Sequence, residues 1–272
     1  MTGPLLTLII AQGIALSILM AAAWWYQKYR GNAGWVDVCW TFATGAAGIA
    51  GALWPLSGET VYGPRQIAVA VLAALWSARL GLHLRTRVLT RPEDVRYAGF
   101  RRDWGDRFQP RLFAFLQIQA LAAWPLGVAI LTAARNPKSG FESNDGLALA
   151  VIVVALAGEA IADRQLARFV HEPANQGRVC DAGLWSWSRH PNYFFEFLGW
   201  CAWPVFAFNT SWPIGALSLL APAMMYWLLV YVSGIPPLEK AMLASRGDAY
   251  RDYQKRTNAF LPLPPRQHEV RA

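Results

Sequence analysis

The stretch Gly183-Leu-Trp-Ser-Trp-Ser-Arg-His-Pro-Asn-Tyr-Phe-Phe-Glu196 decides how the rest of the chain is read. A polar turn carrying a cation and an imidazole runs straight into a strongly apolar segment, residues 193–208. Pro191 suits the first turn of a helix, where its missing N–H costs little, with Ser188 or His190 as the N-cap. The unpaired N–H groups of that turn then face water beside Arg189. A helix N-terminus next to a guanidinium suits an anion, a diphosphate above all. Asn192 and Glu196 are four residues apart and share a helix face, on which a carboxamide-bearing ring can be held by hydrogen bonds deeper in the membrane. The plainer reading is helix capping, with Trp185, Trp187 and Tyr193 as interfacial anchors. Capping alone does not require the whole set.

The composition around this stretch agrees with a membrane setting. The 272 residues are 55% hydrophobic and only 15% charged, with 14 Trp, whereas soluble domains carry roughly 25% charge. Apolar blocks close to the ~20 residues that cross a bilayer as a helix lie near 4–26, 35–56, 66–84, 112–133, 146–162, 193–208 and 212–233. The fifth and sixth are short, which suggests tilted or partly interfacial segments. The first lacks the charged flank of a signal peptide and is long for one, so it reads as a true span. The expected fold is all-α: a polytopic integral membrane protein of about seven spans in a single membrane domain. Residues 1–134 form an N-terminal four-span part and residues 146–265 a C-terminal part with a cytoplasmic amphipathic tail helix.

Charge supports the layout. With the N-terminus outside, Arg65, Arg135 and Lys138 are the basic residues of the outer loops, and Arg79 lies inside a span. The other basic residues, from Lys28 to Arg271, fall on the inner side or in the tail, as the positive-inside rule demands. The formal charge of +8 is thus a membrane signature, and nucleic acid drops out as the expected partner. Cys39, Cys180 and Cys201 are too scattered for a disulfide framework, and His83, His171, His190 and His268 share no ligand spacing, so no metal site is expected.

Gly45, Gly48 and Gly51 give the second span a small-residue face, read as close helix packing. The basic loop of residues 85–111 is read either as a face against anionic lipid or as a lid over a phosphate-bearing ligand. Its interleaved acids and aromatics favour an ordered segment. Ionisable groups within the spans are costly and usually functional: Asp37, Arg79 with His83 one turn on, and Glu159 with Asp163. They pair structurally, Arg79 with Asp37 or Glu159, or line a polar cavity. Asp163, with Gln165 and Arg168, sits near the membrane face and is suited to ribose hydroxyls or phosphates. The tail is expected to form one amphipathic helix from Leu238 to about Lys255, with Tyr250 and Tyr253 on one face.

The Gly183–Glu196 motif resembles the C-terminal motif of the steroid 5α-reductase superfamily, closest to its bacterial membrane proteins. Glu159-x-x-x-Asp163-x-Gln165 upstream and Pro237-Leu-Glu-Lys240 and Tyr250-x-x-Tyr253-x-x-x-Thr257-x-x-Phe260-x-Pro262 downstream also match. Asp37-x-x-Trp40 and Arg79-Leu-Gly-Leu-His83 are weaker marks. The resemblance implies an NADPH site open to the cytoplasm of a bacterial inner membrane and a lipid-side cavity for a hydrophobic enone. Asp163, Asn192 and Glu196 would bind the cofactor, helped by Arg168, Arg189, His190 and Tyr193. The family's adjacent Gln-Glu pair on the second span and its Tyr on the third have no counterpart here. Asp37, Arg79 and His83 occupy comparable places and are the candidates for polarising the substrate. Isoprenylcysteine and phospholipid methyltransferases, which bind S-adenosylmethionine, share Arg-His-Pro-x-Tyr before a span, and a transporter or lipid-binding protein is the non-enzymatic alternative.

Overall fold

The computed structural model describes residues 2–56, 62–138 and 140–266. His268 and Arg271 lie outside the described residues. The described residues are predominantly helical. Among the described residues the pairing outside helices is an isolated parallel bridge between Ser188 and Asn258. Among the described residues eleven α-helices follow in order: α1 (Thr2–Arg30), α2 (Trp35–Leu53), α3 (Pro64–Thr90), α4 (Val95–Trp104), α5 (Phe108–Ala134), α6 (Ser143–His171), α7 (Leu184–Trp187), α8 (Pro191–Ala207), α9 (Leu220–Trp227), α10 (Ile235–Arg246) and α11 (Asp248–Arg256). Six described helical segments are long and apolar enough to cross a membrane, and the protein is a polytopic membrane protein. The expected fifth span is not short: α6 has 29 residues. The expected sixth, α8, has 17 residues, about 25 Å at 1.5 Å per residue, and is not among the six.

The chain divides into two compact units, Met1–Ala148 with Trp203–Ala221, and Leu149–Ala202 with Pro222–Ala272. The first unit is built on the small-residue face of α2. A Cβ on Gly45 would lie 2.4 Å from the Ser77 side chain of α3, one on Gly48 2.6 Å from Ile130 of α5, and one on Gly51 2.4 Å from Gln12 of α1. Three helices thus close on one glycine stripe, the arrangement that small residues permit within membranes. Gly45→Ala is expected to cost about 1–3 kcal/mol, the range for overpacking, because Ser77 Cβ moves only with its backbone. Gly99, inside α4, has no atom closer than 4.0 Å to such a Cβ, and Gly99→Ala should stabilise by about 0.5–1 kcal/mol through helix entropy. Thermal unfolding of both variants in detergent checks the contrast.

Arg65, at the start of α3, is buried, not an exposed loop charge. Its Nε and Nη2 donate to the two carboxylate oxygens of Asp145 at 3.0 and 2.7 Å. Nη1 donates to the carbonyls of Asn136 and Lys138 at 3.1 and 2.8 Å, and Nη2 also to that of Gly140 at 2.6 Å. Asp145 in turn accepts from the Glu142 N–H at 2.8 Å, the capping contact that starts α6.

The basic loop is ordered. Asp94 caps α4 by accepting from the Arg96 N–H at 3.0 Å, and also accepts from Arg87 Nη2 at 2.6 Å. Burial pushes the Asp94 carboxyl up, but the hydrogen bonds and charge of Arg96, with Arg87, outweigh it and hold it below its usual value. Glu93 accepts from Arg101 at 2.9 Å and from the Ala33 N–H at 2.8 Å. Arg87, Arg96 and Arg101 are therefore bound within the chain, which limits what the loop can offer to an outside anion.

In the second unit, α6 and α8 approach closely where a Cβ on Gly158 would lie 2.4 Å from Phe195. The expected single tail helix is two, α10 and α11. Gly247 between them has φ +53, a left-handed conformation that interrupts a helix and that glycine adopts without a Cβ penalty. Tyr250 and Tyr253 are both buried, and the Tyr253 hydroxyl donates to the Trp185 carbonyl.

Candidate functional site

In the second unit the sequence motif becomes a polar seam between α6 and α8. Asn192, in the first turn of α8, donates from its amide to Asp163 Oδ1 of α6 at 3.3 Å. One turn deeper on each helix stand Glu159 and Glu196, 5% and 7% exposed. Carboxylates are expensive at that depth unless they are partnered, and both helices bring theirs to the same level of the seam. Trp200, a further turn along α8 and fully buried, donates its indole N–H to Glu196 Oε1 at 2.8 Å. That bond fixes the carboxylate's orientation. Trp200 is the residue that the motif reading missed. Its signal was present: Asn192, Glu196 and Trp200 follow each other at four-residue spacing on one face.

The sequence expectation for Arg189 needs correction. Its guanidinium is held inside the protein, with Nε donating to Glu239 Oε1 at 2.7 Å and Nη1 donating to the carbonyls of Gln254, at 3.2 Å, and Thr257. The reason is a partner in the tail: Glu239, at the start of α10, also faces His190 Nε2 at 3.3 Å and accepts from Gln254 Nε2 at 2.8 Å. Arg189 and His190 therefore fasten the tail to the entrance of α8. The backbone completes the fastening, with Arg189 N–H donating to Asn258 O at 2.8 Å and Leu263 N–H to Trp187 O at 3.1 Å. Ser188 Oγ accepts from the His190 N–H at 3.1 Å and donates to Phe260 O at 2.9 Å. Tyr193 stacks on His190 with ring centroids 5.6 Å apart, and its N–H donates to the Asn192 side chain at 3.1 Å.

The other candidates on this side are divided. Gln165 Oε1 accepts from the Leu184 N–H at 3.0 Å and so starts α7. Gly183 leaves room for it, since a Cβ there would lie 2.6 Å from Gln165 Nε2. Arg168 is exposed in the last turn of α6, one turn beyond Arg164, which is exposed too.

His190 gives a pH prediction. Burial depresses its basicity, Arg189 adds to this, and the hydrogen bond and charge of Glu239 oppose them without reversing the result, so the imidazole stays below its ordinary range. A depressed folded value means that the unfolded chain binds the proton more readily. Stability is then fully present above the unfolded value of about 6.5 and is lost as pH falls through the lower folded value. Between pH 7.5 and 5 the melting temperature of the wild type should fall more steeply than that of His190→Gln. Parallel curves would remove His190 as the cause.

The first unit holds the other candidates. Asp37, in the first turn of α2, accepts from Arg96 Nη2 and from the Tyr97 hydroxyl, both at 2.6 Å. Of the two acids expected as partners of Arg79, Asp37 and Glu159, the first is held by Arg96 and Tyr97. The partner was hidden because it lies 59 residues away in the basic loop. A recess of about 20 Å³ beside Asp37 is lined on α3 by Leu84, Arg87 and Val88, whereas Arg79 and His83 are not part of that lining. Asp37 is thus a tied carboxylate beside a buried tyrosine.

An all-α polytopic membrane protein with a carboxylate–amide seam at the entrance of a helix is the class that these observations define. The chain belongs to the family described as protein of unknown function DUF1295, which matches residues 23–257. It is similar to an uncharacterized protein of Schizosaccharomyces pombe, 28% identical over 280 residues that cover 92% of this chain and 78% of the relative. No solved structure matches.

Proposed function

We propose that the protein is a membrane-embedded reductase that uses NADPH to reduce an activated carbon–carbon double bond in a hydrophobic substrate. This would make DUF1295 a relative of the steroid 5α-reductase superfamily. The observation that carries the reading is the Asp163–Asn192 contact with Glu196 buried one turn deeper and oriented by Trp200. The donor set suits the cofactor. Asn192 and Glu196 offer a donor and an acceptor for a carboxamide, Asp163 an acceptor for ribose hydroxyls, and Arg168 with Arg164 exposed charge for phosphates. Arg189 and His190 act at one remove by holding Glu239 and the tail against the start of α8. When bound, NADPH supplies a hydride. The chain's part is to orient the carboxamide ring and exclude water from it. Asp37, with Tyr97 and Arg96, is the group in the first unit suited to holding a proton near a substrate carbonyl.

A cytoplasmic C-terminus and an external N-terminus, the arrangement that the positive-inside rule favours for these basic residues, and a bacterial inner membrane, as the resemblance implies, belong to the same proposal. The test is thermal-shift profiling of detergent-purified protein against NADPH, NADH and S-adenosylmethionine, since a ligand that binds the native state raises its apparent stability. A shift with NADPH, followed by enone-dependent NADPH oxidation, supports the reading. A shift with S-adenosylmethionine alone replaces it with a membrane methyltransferase, and no shift with any of the three leaves a non-enzymatic lipid-binding role.

A further inference from the structure

Residues 85–111 carry eight arginines and four acids, and the fold sorts the arginines into two sets. Arg87, Arg96 and Arg101 turn onto Asp94, Asp37 and Glu93, with N–O distances of 2.6, 2.6 and 2.9 Å. These pairs consume the acids that would otherwise screen the loop. Arg85, Arg91, Arg107 and Arg111 are exposed. Arg102 pairs with Asp103, but at 80% and 62% exposure such a pair is worth little. The outer surface of the loop therefore keeps its positive charge.

Depth decides what meets that charge. The helices on either side, α3 and α5, have 27 residues each, about 40 Å at 1.5 Å per residue, and overrun a hydrocarbon layer about 30 Å thick. Their loop-side turns stand at the headgroup layer, where long basic side chains reach phosphate depth. The end of α1 marks the same level. Trp25 and Tyr29 are exposed and stacked, with ring centroids 6.0 Å apart, as in an aromatic interface belt. Trp24 beside them donates its indole N–H to the Gln109 carbonyl at 3.0 Å, which sets that belt level with Arg107 and Arg111. A Cβ on Gly34, just before α2, would lie 3.0 Å from Val88, which brings the end of α3 to the same side.

A phosphate-bearing ligand enclosed by the loop is the alternative occupant. The recess under the loop, beside Asp37, measures about 20 Å³, room for about one water, and such a ligand does not fit there. The exposed arginines face outward, toward the phosphates of the leaflet.

We propose that Arg85, Arg91, Arg107 and Arg111 bind the headgroup phosphates of anionic phospholipid in the leaflet on the loop side, so that the first unit selects anionic over zwitterionic lipid. The site needs neither NADPH nor the seam of the second unit, so failure of the reductase reading leaves it standing.

The test uses the full chain in dioleoylphosphatidylcholine nanodiscs with trace photoprobes, phosphatidylglycerol and phosphatidylcholine carrying the same diazirine next to the glycerol. A cation close to an anionic surface adds roughly five-fold to partition, so the phosphatidylglycerol probe should label the peptides containing residues 85–91 and 107–113 roughly ten-fold more or better. Raising the salt from about 0.1 to about 1 M should shrink that ratio, because the screening length falls to about 3 Å. Exchanging all four arginines for glutamine should bring the ratio to about one at an unchanged melting temperature in detergent. Arg85→Gln with Arg91→Gln, and Arg107→Gln with Arg111→Gln, should each lower it about three-fold or more, which decides the matter if the quadruple variant does not fold. Arg101→Gln, which loses the bond to Glu93, should leave the ratio within about two-fold, and a loss as large as that of either pair would overturn the sorting. Equal labelling by the two probes would overturn the proposal, as would a ratio that survives both paired variants. Pyrophosphate, added at a concentration too low to change the ionic strength, should not compete. Competition would assign these arginines to a soluble phosphate ligand and overturn the lipid site.

Discussion

Arg65→Met is expected to lower the stability of the protein by about 3–5 kcal/mol, the cost of leaving a buried carboxylate without its partner. Arg65 and Asp145 have side chains 5% and 0% exposed, and all five guanidinium N–H groups are used by Asp145 and the carbonyls of residues 136, 138 and 140. The clamp therefore fixes both a charge and a segment of backbone. Asp145→Asn, which keeps an acceptor, should lose less. Combining Arg65→Met with Asp145→Leu should recover part of the loss, because a buried pair replaced on both sides leaves no stranded charge. The carbonyls would still lack their donor, so recovery stays incomplete. Denaturant titration in mixed micelles measures all three. A loss below about 1 kcal/mol for Arg65→Met, the value of an exposed pair, would show that water reaches the site.

Asn192→Ala and Glu196→Ala are each expected to weaken NADPH binding by roughly 10- to 100-fold, the equivalent of one lost hydrogen bond to a charged or carboxamide group, while the protein remains folded. The two should not act alike. Asn192→Ala also frees Asp163 from its 3.3 Å contact, so the α6–α8 seam loosens. Glu196→Ala removes a buried carboxylate and the 2.8 Å bond that it accepts from the Trp200 indole N–H. Glu196→Gln separates charge from hydrogen bonding: it keeps an oxygen for Trp200 and should retain more affinity than the alanine variant. Tryptophan fluorescence titration reports both binding and the state of Trp200. Unchanged NADPH affinity in Asn192→Ala and Glu196→Ala would remove the seam from the cofactor site.

Local features were legible in the sequence and distant pairings were not. The helix starting at Pro191, the shared face of Asn192 and Glu196 and the close packing at Gly45, Gly48 and Gly51 all follow from spacing within one element. The break at Gly247 was also readable, since a glycine between Arg246 and Asp248 is a common stop and restart, but the long amphipathic pattern masked it. Arg189 shows the limit. Its position beside a helix start pointed to an anion, and only the fold brings Glu239, 50 residues away, into contact with it. Arg96 with Asp37 and Arg65 with Asp145 are hidden for the same reason. A pairing across 59 or 80 residues leaves no periodic trace, and each acid had several basic residues to choose from.

The fastening of Asn258 and Leu263 onto the Trp187–Arg189 turn has a consequence for biogenesis. The turn enters the translocation machinery long before its binding partners have been synthesised. While translation continues, the mouth of α8 stands open, with Glu239 not yet available to neutralise Arg189. Maturation of that mouth is thus a late event, and a nascent chain halted before Asn258 would carry an inserted bundle whose doorway has never been shut.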